Sequence, residues 1–189
     1  MEADWEFEVG GDAPVIEAAW TGYVDLQRDP ERAGQLPEAG LLPGLAETLI
    51  KLNTIASSVW TSKCDVWPHL EARDFDLDEL DAPPGCSAHA MGCYIDLLPR
   101  GEKQWLQPEM AADACKQVCG LLRAVPLRCS RADLVIRLAF ITPNAADTDL
   151  ASLGVTAYLT SCGESHVAAA QTLQAALGAL ADALGATRR

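Results

Sequence analysis

Basic side chains are scarce in this chain of 189 residues. Lys and Arg together number 14 against 27 Asp and Glu, so the formal net charge at pH 7 is −13. A surface of this sign repels phosphate backbones and anionic membranes, both of which are bound through clusters of Lys and Arg. We therefore expect neither nucleic acid nor membrane among the partners, and a basic protein fits the charge better.

Long uncharged apolar runs are also missing. The closest, residues 167–184, is interrupted by Gln171, Gln174 and Asp182, whereas a membrane-spanning helix needs about 20 mostly apolar residues. Residues 1–6 are acidic and carry neither the basic nor the apolar part of a secretory signal. We expect a cytoplasmic protein that does not span a membrane.

Sequence signatures of common enzyme classes are absent as well. Gly10-Gly11 is not followed by the Gly-Lys-Ser/Thr of a phosphate-binding loop, and there is neither a Gly-x-Ser-x-Gly elbow nor a His-Glu-x-x-His helix. No catalytic residue can be assigned, and no cofactor is expected. This pattern favours a binding protein over an enzyme.

The seven cysteines form no paired motif. Their number is odd, and they are scattered from Cys64 to Cys162 among apolar or β-forming neighbours. Such a set, in a chain expected in the cytoplasm, predicts reduced thiols that act mainly as small hydrophobic side chains.

Apolar residues make up 49% of the chain and charged residues 22%, which is typical of one folded domain. Alternating or β-branched segments predict strands over residues 5–9, 15–26, 55–67, 87–98, 134–141 and 154–162. Apolar residues at spacings of three and four predict helices over residues 42–53, 108–125 and 165–185.

The predicted order is strand, strand, helix, three times over. It indicates a single α+β domain over residues 1–189, with a largely antiparallel sheet of about six strands and three helices mainly on one face. The first two strands are expected to form a hairpin. Loops are predicted near residues 27–43, 68–86 and 143–152.

One predicted strand carries an unusual set of side chains. Alternation places Thr61, Lys63, Asp65 and Trp67 on one face, and Trp60, Ser62, Cys64 and Val66 on the other. Trp67, Lys63 and Asp65 are therefore candidates for a binding surface, with the indole supplying contact area and the charges setting orientation. The alternative is an ordinary Lys–Asp pair on a solvated sheet face.

Arg137 lies in the most apolar predicted strand. Burying a lone guanidinium is costly, so it must reach solvent or pair with a carboxylate. The candidate partners, all on predicted strands, are Glu17, Asp25, Asp65 and Asp96. This cluster is either a polar binding pocket or a structural ion pair across the sheet.

A metal site is a further hypothesis. The candidate zinc ligands are Cys86, His89, Cys93, Cys162 and His166. Their spacings do not form the paired knuckles of a structural zinc site. The alternative is core thiols and ordinary histidines, and no metal is expected.

Two functions are compatible with these features. The first is a small acidic binding, regulatory or accessory protein, immunity- or chaperone-like, in which an acidic sheet face holds aromatic anchors such as Trp67 and Tyr23. The second is an enzyme or small-molecule binder with a polar pocket around Arg137, Lys63 and strand carboxylates, including Asp25 and Asp96. Monomer and homodimer both remain open.

Overall fold

A computed structural model of the chain describes residues 1–8, 10–70, 74–83, 89–100, 105, 107–141 and 150–186, with only the backbone at 150 and 151. The strands are β1 (Glu2–Phe7), β2 (Val15–Glu17), β3 (Val59–Leu70), β4 (His89–Pro99), β5 (Ser130–Ile141) and β6 (Leu150–Gly163). The helices are α1 (Pro37–Leu41), α2 (Leu45–Asn53), α3 (Pro108–Arg123) and α4 (His166–Ala186), with a 3-10 helix at Pro30–Gln35.

The six strands form one sheet in the order β1-β5-β6-β4-β3, and β2 also pairs with β5. The pairs β3–β4, β4–β6 and β5–β6 are antiparallel, whereas β1 and β2 run parallel to β5. The chain is therefore a single α+β domain with a mixed, mostly antiparallel sheet and helices packed against it. The predicted fold class and the order strand, strand, helix are confirmed.

The predicted hairpin of the first two strands is wrong. β1 pairs with residues 131–136 and β2 with residues 138–140, so the two lie end to end along the same edge of β5. Most of the predicted second strand is turn: the Asp25 carboxylate accepts hydrogen bonds from the backbone N–H groups of Gln27 and Arg28 at 3.1 and 3.2 Å. Such local side-chain bonds compete with a strand ladder.

Two predicted boundaries also differ. The loop near 27–43 contains the 3-10 helix and α1, each with Pro in its first turn, where the fixed φ of proline suits a helix start. β3 continues past Pro68 to Leu70 through a register shift, because a bulge on an edge strand tolerates a missing N–H. The predicted loops at 68–86 and 143–152 fall partly outside the described residues, and β6 begins at Leu150.

One face of the sheet carries the main core. α4 buries Leu173, Leu177 and Leu180 there, against sheet residues such as Ile95 and Ile136. The side-chain period of a strand is two, so the same register turns the intervening residues to the opposite face.

α4 is long and apolar enough, by length and composition alone, to cross a membrane. Its most apolar stretch of 18 residues has a mean hydropathy of 1.2, and 44% of that stretch is buried within the fold. The core helix of a folded domain meets the same test, so this is weak evidence for a membrane span.

The opposite sheet face, called the open face below, is covered only at its ends among the described residues. At one end Ile16 and Ala18 pack on Trp60, Leu98 and Ala139. At the other end Leu80 packs on Ala90, Cys129 and Cys162. The middle of the open face lies between these two small clusters.

Gly154 leaves room for Ile16 to pack on one end of the open face. A Cβ at Gly154 would lie 2.7 Å from Ile16 Cδ1 and 3.1 Å from the Leu97 carbonyl oxygen. We expect Gly154→Ala to lower the free energy of unfolding by about 1–3 kcal/mol through overpacking, measured by urea denaturation.

The matched control is Gly178→Ala on the exposed side of α4, where nothing lies within 4 Å of the added Cβ. This change should stabilise by about 0.5–1 kcal/mol because alanine favours helix. Equal stability of Gly154→Ala and the unmodified protein would contradict the packing described.

Candidate functional site

A bulge in β3 shapes the candidate site. Thr61 pairs with Leu97 but Cys64 pairs with Ile95, so Ser62 and Lys63 together face the single residue Asp96 on β4. Because β3 has one extra residue here, the side chains before the bulge point to the opposite face from the one that regular alternation would give.

The predicted alternation is therefore wrong for Trp60, Thr61 and Ser62. Trp60 lies on the open face, where it packs with Leu98. The Thr61 side chain and N–H are hydrogen-bonded to the Asn53 side chain of α2, at 2.7 and 3.0 Å.

Three aromatic rings contact one another in the middle of the open face. The Trp67 ring lies parallel to that of Tyr158, with centroids 6.3 Å apart and planes inclined by 11°. Tyr94 contacts both, at centroid distances of 5.7 and 6.0 Å. Gly92 leaves the space that the indole occupies, since a Cβ there would be 3.1 Å from the Trp67 ring. The aromatic cluster of Trp67, Tyr94 and Tyr158 thus spans three strands.

Arg137 is paired, although not with any of the predicted carboxylates. Its Nε donates to Glu8 Oε2 at 3.0 Å, and its Nη1 donates to Tyr158 Oη at 3.0 Å and to Thr156 Oγ1 at 3.4 Å. Glu8 was not among the predicted partners of Arg137, because the two residues meet only through the parallel pairing of β1 with β5. No local sequence pattern indicates that pairing.

Asp96 lies beneath this network. The residue is 6% exposed, and its carboxylate accepts a hydrogen bond from Thr156 Oγ1 at 2.6 Å. Burial raises the pKa of Asp96, while the Thr156 bond and the charges of Lys63 and Arg137 oppose that change. Burial, and then Asp96, also raise the pKa of Tyr94 to about 12, so this phenol stays protonated at neutral pH.

Acidic groups outnumber basic groups on the open face of the described strands. By register, six carboxylates lie on this face, and Glu8 joins them through its bond to Arg137. The basic groups that lie on it by register are Lys63, Arg131 and Arg137. The carboxylates are Glu2, Asp4, Glu6, Glu8, Asp65, Asp96 and Asp133.

The three basic groups already have acidic neighbours. Lys63 Nζ is 3.7 Å from Glu17, and Arg131 Nη2 is 2.8 Å from Asp133. With Arg137 bound to Glu8, the cations are neutralised within the protein, and the acidic excess faces outward.

The structure brings five of the seven predicted binding residues to one face: Trp67, Lys63, Asp65, Asp96 and Arg137. Tyr23 and Asp25 are separate from that group. Tyr23 packs against the Ile16 cluster at the end of the face, and Asp25 caps a turn. Tyr94 and Tyr158 were not singled out, although their alternation with buried residues in two predicted strands was a usable signal.

All three histidines of the chain meet where β3 and β6 end and β4 begins. The His166 ring centroid lies 4.4 Å from that of His69 and 4.0 Å from that of His89. Desolvation and then the neighbouring imidazoles of His89 and His69 lower the pKa of His166.

Of the candidate zinc ligands in the described part of the chain, His89 and His166 come together, but the cysteines do not join them. Cys93 lies in the main core, whereas Cys162 packs in the Leu80 cluster on the open face. Cys86 lies outside the described residues. Within the described ranges, no three His, Cys, Asp or Glu side chains form a group that could hold a metal ion.

The described cysteines are free thiols, and most are buried. Burial raises the pKa of both Cys64 and Cys115 to about 12 and that of Cys119 to about 11. These thiols are protonated at neutral pH, which makes them poor nucleophiles.

No protein-family model, curated protein or solved structure matches the chain.

The buried carboxyl of Asp96 predicts a specific pH dependence. Because its pKa is raised on folding, the native state binds this proton more tightly than the unfolded chain. The contribution of Asp96 to stability therefore falls as the pH rises above its unfolded pKa of about 3.9. We expect Asp96→Asn to be more stable than the unmodified protein at pH 7, with a difference that shrinks towards about pH 4.

Urea denaturation across this pH range measures the difference. Asp12→Asn, in an exposed turn, controls for the loss of one charge. A stability difference that does not change with pH would contradict the assignment to Asp96.

Proposed function

We propose that this protein binds a basic protein partner through the middle of its open face, as a regulatory or accessory protein of the immunity or chaperone kind. The observation that carries the proposal is the aromatic cluster of Trp67, Tyr94 and Tyr158, which lies on a sheet face with an excess of carboxylates.

The aromatic cluster has the properties of a binding anchor. Trp and Tyr are enriched among the residues that contribute most to protein–protein affinity. Trp67 is 37% exposed, so part of its surface is available to a partner. Its ring already packs against Tyr158 and Tyr94, and it occupies the space above Gly92. Such an ordered anchor loses little side-chain entropy on binding.

The charge distribution favours a basic partner. Seven carboxylates against three basic groups create a negative potential around the aromatic cluster. Charge complementarity of this kind speeds association and excludes acidic competitors, and salt weakens it. Affinity is therefore expected to fall as ionic strength rises.

The alternative function, a small-molecule site or enzyme around Arg137, gains less support. All three guanidinium nitrogens bond within the protein, to Glu8, Tyr158 and Thr156. A ligand would have to replace these bonds. The hypothesis stays a prediction, with no observation that favours it over partner binding.

Photo-crosslinking identifies the partner and tests the surface. A benzophenone amino acid at position 67 should capture a basic protein in cells that produce this chain, whereas the same group at Phe7 should not. Phe7 is a matched control because it is 39% exposed but lies on the other face of the sheet.

Affinity measurements with the purified partner complete the test. Trp67→Ala should weaken binding by about tenfold or more, as loss of a central aromatic anchor costs at least about 1.4 kcal/mol. Phe7→Ala should change affinity less than about twofold. Binding that is indifferent to Trp67→Ala, or equally tight at low and high salt, would overturn the proposal.

A further inference from the structure

We infer a second binding site, for a small neutral apolar molecule, in a cavity on the helix-covered side of the sheet. The cavity has a volume of about 320 Å³ and lies between α3 and the strands. Leu97, Leu134 and Val155 form its floor, one from each of β4, β5 and β6, while Ala114 and Val118 of α3 form its roof.

The cavity is large enough to hold a small ligand. It opens to solvent at a rim that includes the exposed residues Asp113 and Gln117. A closed apolar cavity of roughly 150 Å³ already binds benzene. The present cavity is about twice that size, which suits a two-ring compound or an eight-carbon chain. Small-molecule pockets begin at about 300 Å³.

The lining determines the class of ligand. Its polar members are Ser58, Asp113 and Gln117, and it includes no Lys, Arg or His among the described residues. An anionic head group would therefore lack a partner beside the Asp113 carboxylate. A cationic head group would compete with Lys116, whose Nζ is 3.2 Å from Asp113. A neutral head group, such as an alcohol, can bond to Ser58 or Gln117.

Trp105 provides a second, independent observation. Its side chain lines the cavity and is buried, yet its backbone has φ 67°. This left-handed conformation is unfavourable for a bulky residue, and such conformations concentrate at ligand sites, where surrounding contacts hold them. The indole thus forms a fixed wall of the cavity.

The Cys115 thiol also lines the cavity. Burial raises the pKa of this thiol to about 12, so it contributes an apolar surface and not a thiolate. The site is therefore assigned to reversible binding.

The site is probed by titrating the full chain, labelled with ¹³C at its methyl groups, and recording the methyl NMR signals. The probes are octan-1-ol, octanoate and octyltrimethylammonium. Octan-1-ol should shift the methyl signals of Leu97, Leu134 and Val155 in a saturable way. The Ile16 methyl, on the other sheet face, should not move. Octanoate should bind about two- to fivefold more weakly than octan-1-ol, because its carboxylate would lie beside that of Asp113. Octyltrimethylammonium should bind no more tightly than octan-1-ol, because Asp113 is 77% exposed and already lies beside Lys116.

Ala114→Phe fills the cavity and should weaken octan-1-ol binding by about tenfold or more while preserving the fold. Ala175→Phe, on the exposed side of α4, is the matched control and should leave binding unchanged. If Ala114→Phe does not fold, Val118→Phe takes its place.

Three results would overturn the inference: no saturable shift with octan-1-ol, equal shifts at Ile16 and at the floor residues, or undiminished binding by the filled variant. Octanoate binding as tightly as octan-1-ol would overturn the neutral ligand class. None of these results depends on whether the open face binds a protein.

Discussion

Burial of one face of the sheet against α3 and α4 is the constraint on which the other features depend. Because strand side chains alternate, placing Ile95, Ile136 and Val155 in that core fixes the register of three adjacent strands. The same register sets Tyr94 beside Tyr158 on the opposite face. The placement of these two tyrosines is thus a consequence of core packing.

Two local departures from regular strand geometry turn this face into a candidate site. The β3 bulge places both Ser62 and Lys63 opposite Asp96, which brings a positive charge towards a buried carboxylate. Gly92 removes a side chain where the Trp67 ring must cross β4 to reach Tyr158. The bulge also lets both Val59 and Val66 face the main core. Both features shape the surface that a partner would contact.

Much of the fold could be predicted from the sequence, and less of the site. Strands and helices with strong apolar periodicity, such as α3, were identified because local burial determines them. The parallel pairing of β1 with β5 joins residues more than 120 positions apart, and no local pattern encodes it. The Glu8–Arg137 pair was missed for this reason. The β3 bulge was missed because one extra residue leaves composition and periodicity almost unchanged.

β1 connects the two faces of the sheet. Its Ala3 packs in the main core, and the Ala3 carbonyl accepts a hydrogen bond from Arg123 Nε of α3 at 2.7 Å. The alternate residues of the strand carry carboxylates to the rim of the open face, and Glu8 just beyond it binds Arg137. Separating β1 from the sheet would break both its contacts with the main core and its contacts at the open face. A partner bound to the acidic rim would therefore also stabilise the attachment of β1 to α3. If a basic partner binds these carboxylates as proposed, its binding would be coupled to core stability through this strand.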